Sequence, residues 1–426
     1  MTNAMPPSLW AATSQPLQAF PPLAGSVRTR VAVVGAGYTG LSAALHLGLA
    51  GSDAVVIDAG EPGWGASGRN GGQVIPGLKD GPDELERLFG PDRGPRMVRT
   101  VAAAADLVFD LIARFDIGCA PVRSGWIVGA HSEAAMARIA VRAREWQARG
   151  VQAQLLDAGG IAALTGSRSY VGGWLDPRGG TVQPLSYARG LAKAAASQGA
   201  RIFGETPALS LERKSGGWRL VTPAGDIDAE TVILAMNAYT GRLWPKLKQT
   251  VVPVFSLQVA TRPLSETEAA ILPGGQAVSD TKNLLRYFRR SPDGRLVLGT
   301  RGPFTDRPGP RHGRRVGEVI AEIYPGLADV PLDYVWSGRV AMTKDHRPHL
   351  HELAPGVYAA LGYNGRGVAM ATMLGKLLAE RVSGRPWEEI DFPNSALTPI
   401  RFHALSRLGV MAHVQYYRLL DRFGRG

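Results

Sequence analysis

Three glycines at one spacing, with an acid beyond them, carry the first chemical signal in this chain. Gly35-Ala-Gly37-Tyr-Thr-Gly40 fits the G-x-G-x-x-G pattern and lies between an apolar strand run and a helical run. At such a site Gly35 makes a tight turn, Gly37 lets a pyrophosphate approach the backbone, and Gly40 lets helix and strand pack closely. A helix that starts here offers free N–H groups to phosphate oxygens. Asp58 follows 18 residues after Gly40. A carboxylate there accepts hydrogen bonds from ribose hydroxyls and argues against a 2′-phosphate. These residues together imply a dinucleotide, NAD or FAD.

The loop Gly65-Ala-Ser-Gly-Arg-Asn-Gly-Gly-Gln73 favours FAD. Simple NAD enzymes usually lead from the second strand straight into another helix. Here the chain runs instead through Gly60, Pro62, Gly63 and Gly65. Such a loop can fold back over a long, phosphate-bearing cofactor. Ser67 and successive backbone amides suit an anion, and Arg69 can offset its charge.

The elements that must position these residues are legible as patterns. Arg30 to Val34 and Ala54 to Ile57 read as buried strands around a helix from Thr39 to Ala50, a βαβ unit of a parallel sheet. Residues 97–116 and 131–149 are helical in period. Gly217 to Val221 and Thr231 to Ala235 flank a turn, as in a hairpin. A second β-rich stretch covers about 250 to 300, and Gly367 to about Val382 reads as a helix. Residues 1–28 are Pro-rich and expected as a surface arm. The tail from Arg401 to Arg425 carries five arginines and two adjacent tyrosines in a helical pattern. It is expected either to pack on its own protein or to touch a membrane surface peripherally.

Composition narrows the function classes. The chain has 426 residues, a formal net charge of +12 and a pI near 10.0. The basic residues are dispersed rather than blocked, which speaks against nucleic acid as the partner. Cys119 is the only cysteine. It can make neither an internal disulfide nor a cysteine-based zinc site. A reducing, cytoplasmic setting is expected, since the first residues lack the basic and apolar regions of a signal peptide. His346, His349 and His351 are expected to be incidental loop residues, and no metal site is expected.

Four separated motifs, VAVVGAGYTGLSAALHL, GASGRNGGQ, VILAMNAYTG and LGYNGRGVAM, resemble those of the FAD-dependent amine and amino-acid oxidoreductases of the D-amino-acid-oxidase superfamily. The GASGRNGGQ loop in particular resembles that of the branch of the γ-glutamylputrescine oxidoreductase type. The resemblance runs from about Trp10 to Tyr417. It implies an α/β fold with a Rossmann-like FAD-binding domain of the GR2 type and a β-sheet-rich substrate domain. The first would comprise residues 28–95, 150–247 and 338–390, the second 96–149 and 248–337, with a basic helical tail at 391–426.

The same resemblance implies a non-covalently held FAD. Gly35, Gly37 and Gly40, with Tyr38 and Thr39 between them, would cradle the pyrophosphate. Asp58, with Ala59, would hold the adenosine ribose. Gly65, Ala66, Ser67, Arg69 and Asn70 would line the phosphate and ribityl side, and Gly71, Gly72 and Gln73 would approach the ring. Ala208 would face the adenine, and Ala235 and Asn237 would lie near the cofactor. Gly338 and the second glycine loop, Gly362, Tyr363, Asn364, Gly365, Gly367 and Val368, would complete the site. A helix N-terminus at that loop would stabilise negative charge on the reduced ring.

Oxidation of an amine by such a cofactor needs position more than acid–base machinery. Candidates for the substrate side are Tyr287, Arg289, Trp336, Arg339, Asp345 and Tyr363. Relatives that oxidise glycine or D-amino acids carry an arginine for the substrate carboxylate where this chain has Val340. The resemblance therefore implies an amine, with its imine product hydrolysed, rather than a free α-amino acid. Sarcosine-oxidase relatives carry a lysine that promotes O₂ reduction where this chain has Val297, so the acceptor is O₂ or another oxidant. The alternatives are a flavin-dependent dehydrogenase of D-amino or cyclic imino acids, a nicotinamide enzyme on the same βαβ unit, and a non-catalytic basic binding protein.

Overall fold

The computed structural model describes residues 5–16 and 18–422. The ends of the expected arm and tail, residues 1–4 and 423–426, and residue 17 lie outside the described residues.

The glycine motif sits where two strands and a helix meet. Strands β1 (Val27–Val34) and β2 (Ala54–Ile57) pair in parallel, and helix α1 (Tyr38–Leu49) crosses between them. The lower half of β1 and all of β2 are buried, as continuous apolar runs in a parallel sheet require. Strand β3 (Gly225–Leu234) pairs in parallel with the other side of β1. Arg201–Phe203 closes one edge of this sheet, and Val357–Leu361 then His349–Ala354 the other. The expected hairpin is present, with Gly217–Thr222 antiparallel to β3. Two glycines explain why the motif tolerates nothing larger. Gly35 has φ +110°, and a Cβ on Gly40 would lie 1.9 Å from Gly35 O.

The second sheet is the β-rich stretch of the sequence. Strand β4 (Val252–Pro263) pairs antiparallel with β6 (Arg295–Arg301) and β7 (Leu332–Met342), and β5 (Tyr287–Arg290) pairs antiparallel with β6. Directly opposed residues of antiparallel strands share a face. Trp336, Gln258, Gly299 and Tyr287 therefore form one cross-strand row, and Gly338, Ser256 and Arg301 form the next. The opposite face carries Leu257, Val259, Phe288, Leu296 and Leu298, packed with Val316, Ile320 and Ile323 of the Pro310–Ile323 helix.

The strand pairing moves two of the expected boundaries. Gln154–Asp157 and Gly172–Asp176 hydrogen-bond into the second sheet, so residues 150–176 do not belong with the first. Residues 96–114 continue the Pro82–Arg114 helix, whose Val101, Ala105 and Val108 share a core with Leu41 and Leu45 of α1. Local period sets elements but not their sheet, because register is a long-range choice.

The expected surface arm is also different. Leu9–Thr13 is a short helix capped by Ser8, whose Oγ accepts from Ala11 N at 3.1 Å. Leu9 and Trp10 are fully buried beside Val297 and Trp336. A tryptophan adds more apolar surface to a core than any other side chain, which outweighs the loop-like composition around it.

The last two helices are α2 (Gly367–Val382), buried along most of its length against α1, and α3 (Ser406–Arg422) in the tail. No helix among the described residues is long and apolar enough to cross a membrane.

Candidate active site

A cleft of about 1170 Å³ runs between the two sheets. Ordinary small-molecule sites occupy roughly 300–1,000 Å³, so this one suits a long ligand. One wall is the first sheet with the N-termini of α1 and α2; the other is the face of β4, β6 and β7.

The cofactor wall is mostly backbone. The N–H groups of Gly37 and Thr39 have no acceptor among the described residues, while Tyr38 N donates to Ser67 Oγ at 3.0 Å. Ser67 is thus held at the mouth of α1, where an anion would sit. Asp58 Oδ2 accepts from Ala36 N at 2.7 Å and Oδ1 from Gly60 N at 2.9 Å. Burial pushes its carboxyl up to about 6 despite these two donors. Ala59, Gly65, Ala66, Ala208, Ala235 and Asn237 also line the cleft, as do Asn364, Gly365, Gly367 and Val368 near the start of α2.

The glycine-rich loop is pinned across both walls. Asn70 Nδ2 donates to Ser67 O at 2.8 Å, and its Oδ1 accepts from Gly72 N at 2.8 Å. Arg69 O accepts from Gln258 Nε2 and from Trp336 Nε1, each at 2.9 Å, and Asn70 O accepts from Trp10 Nε1 at 2.7 Å. Gln73 Nε2 donates to Val278 O and Phe288 O, each at 3.0 Å. The Arg69 side chain takes a different place from Ser67. Its Nε donates to Trp64 O at 2.8 Å and its guanidinium lies over the Trp64 ring at 4.3 Å, with Tyr239, Asp306 and Arg339 as its charged and polar surroundings.

The second wall separates the substrate-side candidates. Tyr287 is on the cleft, its hydroxyl hydrogen-bonded with Ser256, and burial pushes its pKa up to about 12. It is therefore a neutral hydroxyl at physiological pH. Arg339 also lines the cleft, but both its Nε and Nη2 are taken by the Asp306 carboxylate. Val340 stands beside it on the lining. Tyr363 reaches Thr39 Oγ1 at 2.5 Å and so ties α2's loop to α1.

Arg289 and Trp336 lie off the cleft. Tyr287 and Arg289 do share a face, as their spacing predicts, yet Arg289 lies under the loop rather than beside the ligand space. Its Nη1 donates to Val182 O at 2.5 Å and Gly72 O at 3.3 Å. Burial lowers its pKa to about 9. Trp336 is a buried strut that holds Arg69 O. Gly40, Gly72, Gly362 and Asp345 are also outside the lining; Asp345 pairs with His349 Nε2 at 3.2 Å.

The remaining sequence candidates have ordinary partners. His349 and His351 stack, and their Nδ1 atoms contact Ser395 Oγ at 3.0 Å and Ser395 O at 2.6 Å. No metal-binding cluster occurs among the described residues. The Cys119 thiol is buried and pushed up to about 12, so it is not a nucleophile.

Several cleft residues escaped the sequence reading. Gln258, Ser256, Arg301 and Tyr239 all face it, and Gln258 Oε1 is buried with no partner among the described residues. Arg301 follows Val297 and Gly299 at period two, a signal that was available. One face of α3, through Val410, Val414 and Tyr417, roofs the cleft. Asp421 anchors that roof by accepting from Asn283 N at 2.9 Å and Leu284 N at 3.0 Å.

These features fit FAD. Free helix N–H groups and Ser67 would hold its pyrophosphate, Asp58 its ribose, and the orphaned Gln258 Oε1 offers an acceptor on the far wall. Known proteins agree. The chain is 35% identical over 423 residues to the probable oxidoreductase OrdL of Rhizobium meliloti, covering 98% of this chain and 97% of that one. It is 32% identical over 429 residues to the γ-glutamylputrescine oxidoreductase of Escherichia coli, covering 98% of each. It superposes on the glycine oxidase of Geobacillus kaustophilus with a TM-score of 0.73 at 24% identity, over 88% of this chain and 99% of that one. Residues 30–381 match the family model of FAD-dependent oxidoreductases. The chain belongs to the FAD-dependent oxidoreductase family of the D-amino-acid-oxidase type, whose fold and cofactor it shares, and it is an FAD-dependent oxidoreductase.

Proposed function

We propose that this enzyme oxidises the C–N bond of a primary or secondary amine of the γ-glutamylputrescine kind, rather than a free α-amino acid. The observation that carries this is the pair Val340 and Arg339. Val340 is an apolar residue of the cleft, and the arginine next to it is held by Asp306. That turn has no free guanidinium for the carboxylate on the reacting carbon. The likeness to γ-glutamylputrescine oxidoreductase supports the same reading.

FAD, when bound without a covalent link, supplies the acceptor for the two electrons and the hydrogen that leave the substrate carbon. The chain supplies position and surroundings. Tyr287, Ser256 and Gln258 present neutral hydrogen-bonding groups, and Val254, Phe255 and Val340 shape an apolar wall. Asp58 is the one carboxylate on the lining among the described residues, so no acidic base stands beside the amine. The substrate therefore enters as the neutral amine, with its lone pair free to assist loss of the hydrogen. Val410, Val414 and Tyr417 of α3 keep bulk water out until the imine forms; hydrolysis then yields a carbonyl and an amine.

Reoxidation by O₂ with release of H₂O₂ is the first reading. A different acceptor is the second, because Val297 is packed in an apolar cluster with Trp10 and Trp336. The exposed row Leu408, Met411 and Leu419 on the outer side of α3 supports peripheral contact with a membrane in that case. A screen of amines by anaerobic flavin bleaching tests the substrate, and an oxygen electrode separates the two acceptors. Bleaching by free D-amino acids alone would overturn the amine reading.

A further inference from the structure

The charge on the cleft is out of balance. Arg69, Lys79, Arg242, Arg301, Arg339 and Lys344 line it, against Asp58 as the one acid among the described residues. Arg339 is neutralised by Asp306 from outside the lining. A cofactor pyrophosphate would balance two more charges, and a surplus remains.

The surplus is most sharply placed at Arg301, the last residue of β6. Its Nη1 donates to Phe255 O at 2.7 Å, but Nη2 is buried with no acceptor among the described residues. The guanidinium lies over the Phe304 ring at 5.0 Å, and Arg407 of α3 lies over the same ring at 5.1 Å. Neither arginine has a carboxylate partner among the described residues, whereas Arg295 on the same strand has both Asp293 and Asp333. Burial lowers Arg301 to about 10, so it is still a cation at neutral pH. A part-buried guanidinium without a counter-charge is costly unless a ligand completes it. Arg301 is the register partner of Ser256, whose hydroxyl meets Tyr287. It thus stands one row beyond the Gln258–Gly299–Tyr287 row that faces the loop.

We propose that Arg301 is the anion-binding residue of the substrate cleft and holds a carboxylate carried by the amine at the end remote from the C–N bond that is oxidised. This rests on the amine reading above and deepens it. A bare diamine brings only positive charge into a cationic cleft and is a poor substrate; an amide of the same diamine that carries a carboxylate is a good one.

The test uses FAD-loaded wild type, Arg301→Gln and Arg301→Lys. γ-Glutamylputrescine and N-glutarylputrescine, which both carry the carboxylate, are compared with N-acetylputrescine, which has the same reacting end and no charged group at the other. Glutarate, which cannot be oxidised, is titrated separately against the flavin spectrum. The expected result is a fall of about tenfold or more in the ratio of kcat/KM for either carboxylate-bearing amine to that for N-acetylputrescine in Arg301→Gln, mainly through KM, with part of it restored in Arg301→Lys. Glutarate binding weakens by a similar factor. An unchanged ratio in the folded, yellow variants would overturn the proposal. So would selective loss of FAD from both, which would give Arg301 to the cofactor pyrophosphate. If wild type oxidises none of these amines, the amine reading has failed. Glutarate then decides this proposal alone: weaker binding in the variants supports it, and equal binding overturns it.

Discussion

The two walls of the cleft are built from different materials. The cofactor wall is backbone: glycine turns, helix N-termini and a single carboxylate. The opposite wall is side chains set on a twisted antiparallel sheet. A backbone wall must exclude Cβ atoms at fixed intervals, so it is written as spacing within a few dozen residues. A side-chain wall is assembled by register, and its row Trp336, Gln258, Gly299 and Tyr287 comes from four strands. The first wall tolerates little change and fixes the cofactor; the second can vary and sets the substrate.

Gly40→Val should break the first wall most severely. Its Cβ would lie 1.9 Å from Gly35 O, a backbone atom that no rotamer can relieve. The expected cost exceeds about 4 kcal/mol, at the top of the range for single substitutions. Little soluble yellow protein should be recovered, as read by flavin absorbance per protein.

Trp10→Ala sharpens the comparison from beneath the loop that joins the walls. It removes a fully buried indole, its bond to Asn70 O and its edge contact with Trp336 at 5.8 Å. A loss of about 3–5 kcal/mol is expected in urea unfolding, together with faster FAD release.

Asp58 gives the cofactor wall a pH signature. A carboxyl raised to about 6 from its usual 3.8 binds more protons folded than unfolded. Its contribution to apoprotein stability is therefore fully present below about pH 4 and is lost as pH rises to about 6. Ribose hydroxyls donate best to the ionised form, so FAD binding should release a proton. Affinity of the apoprotein for FAD should fall by up to about tenfold per pH unit below 6. In Asp58→Asn that slope should vanish, as followed by quenching of FAD fluorescence.

Val340→Arg is the mildest change and acts on the second wall alone. Asp306 is already engaged by Arg339, so the new guanidinium stays available to a ligand. Glycine or a D-amino acid should begin to bleach the flavin, with kcat/KM rising about tenfold from a low baseline, while FAD retention stays that of wild type.

What was legible in the sequence follows the same division. The βαβ unit, the three glycines, Asp58 and Ser67 lie where their spacing places them, because local sterics dictate them. Arg289 and Trp336 read as ligand-side residues because type and alternation show which face a residue takes, not which layer covers that face. The loop covers both. Trp10 was hidden by its Pro-rich surroundings, although the Ser8 cap before two large apolar residues was a signal. Gln258 and Arg301 needed the register of β4, β6 and β7, which no local pattern carries.

An anaerobic titration of the yellow holoenzyme with γ-glutamylputrescine reads the cofactor and the substrate class together. Stoichiometric bleaching of the flavin band near roughly 450 nm is expected, with N-acetylputrescine slower and free D-amino acids inert. A band that D-amino acids bleach and both amines leave intact would contradict an amine oxidoreductase.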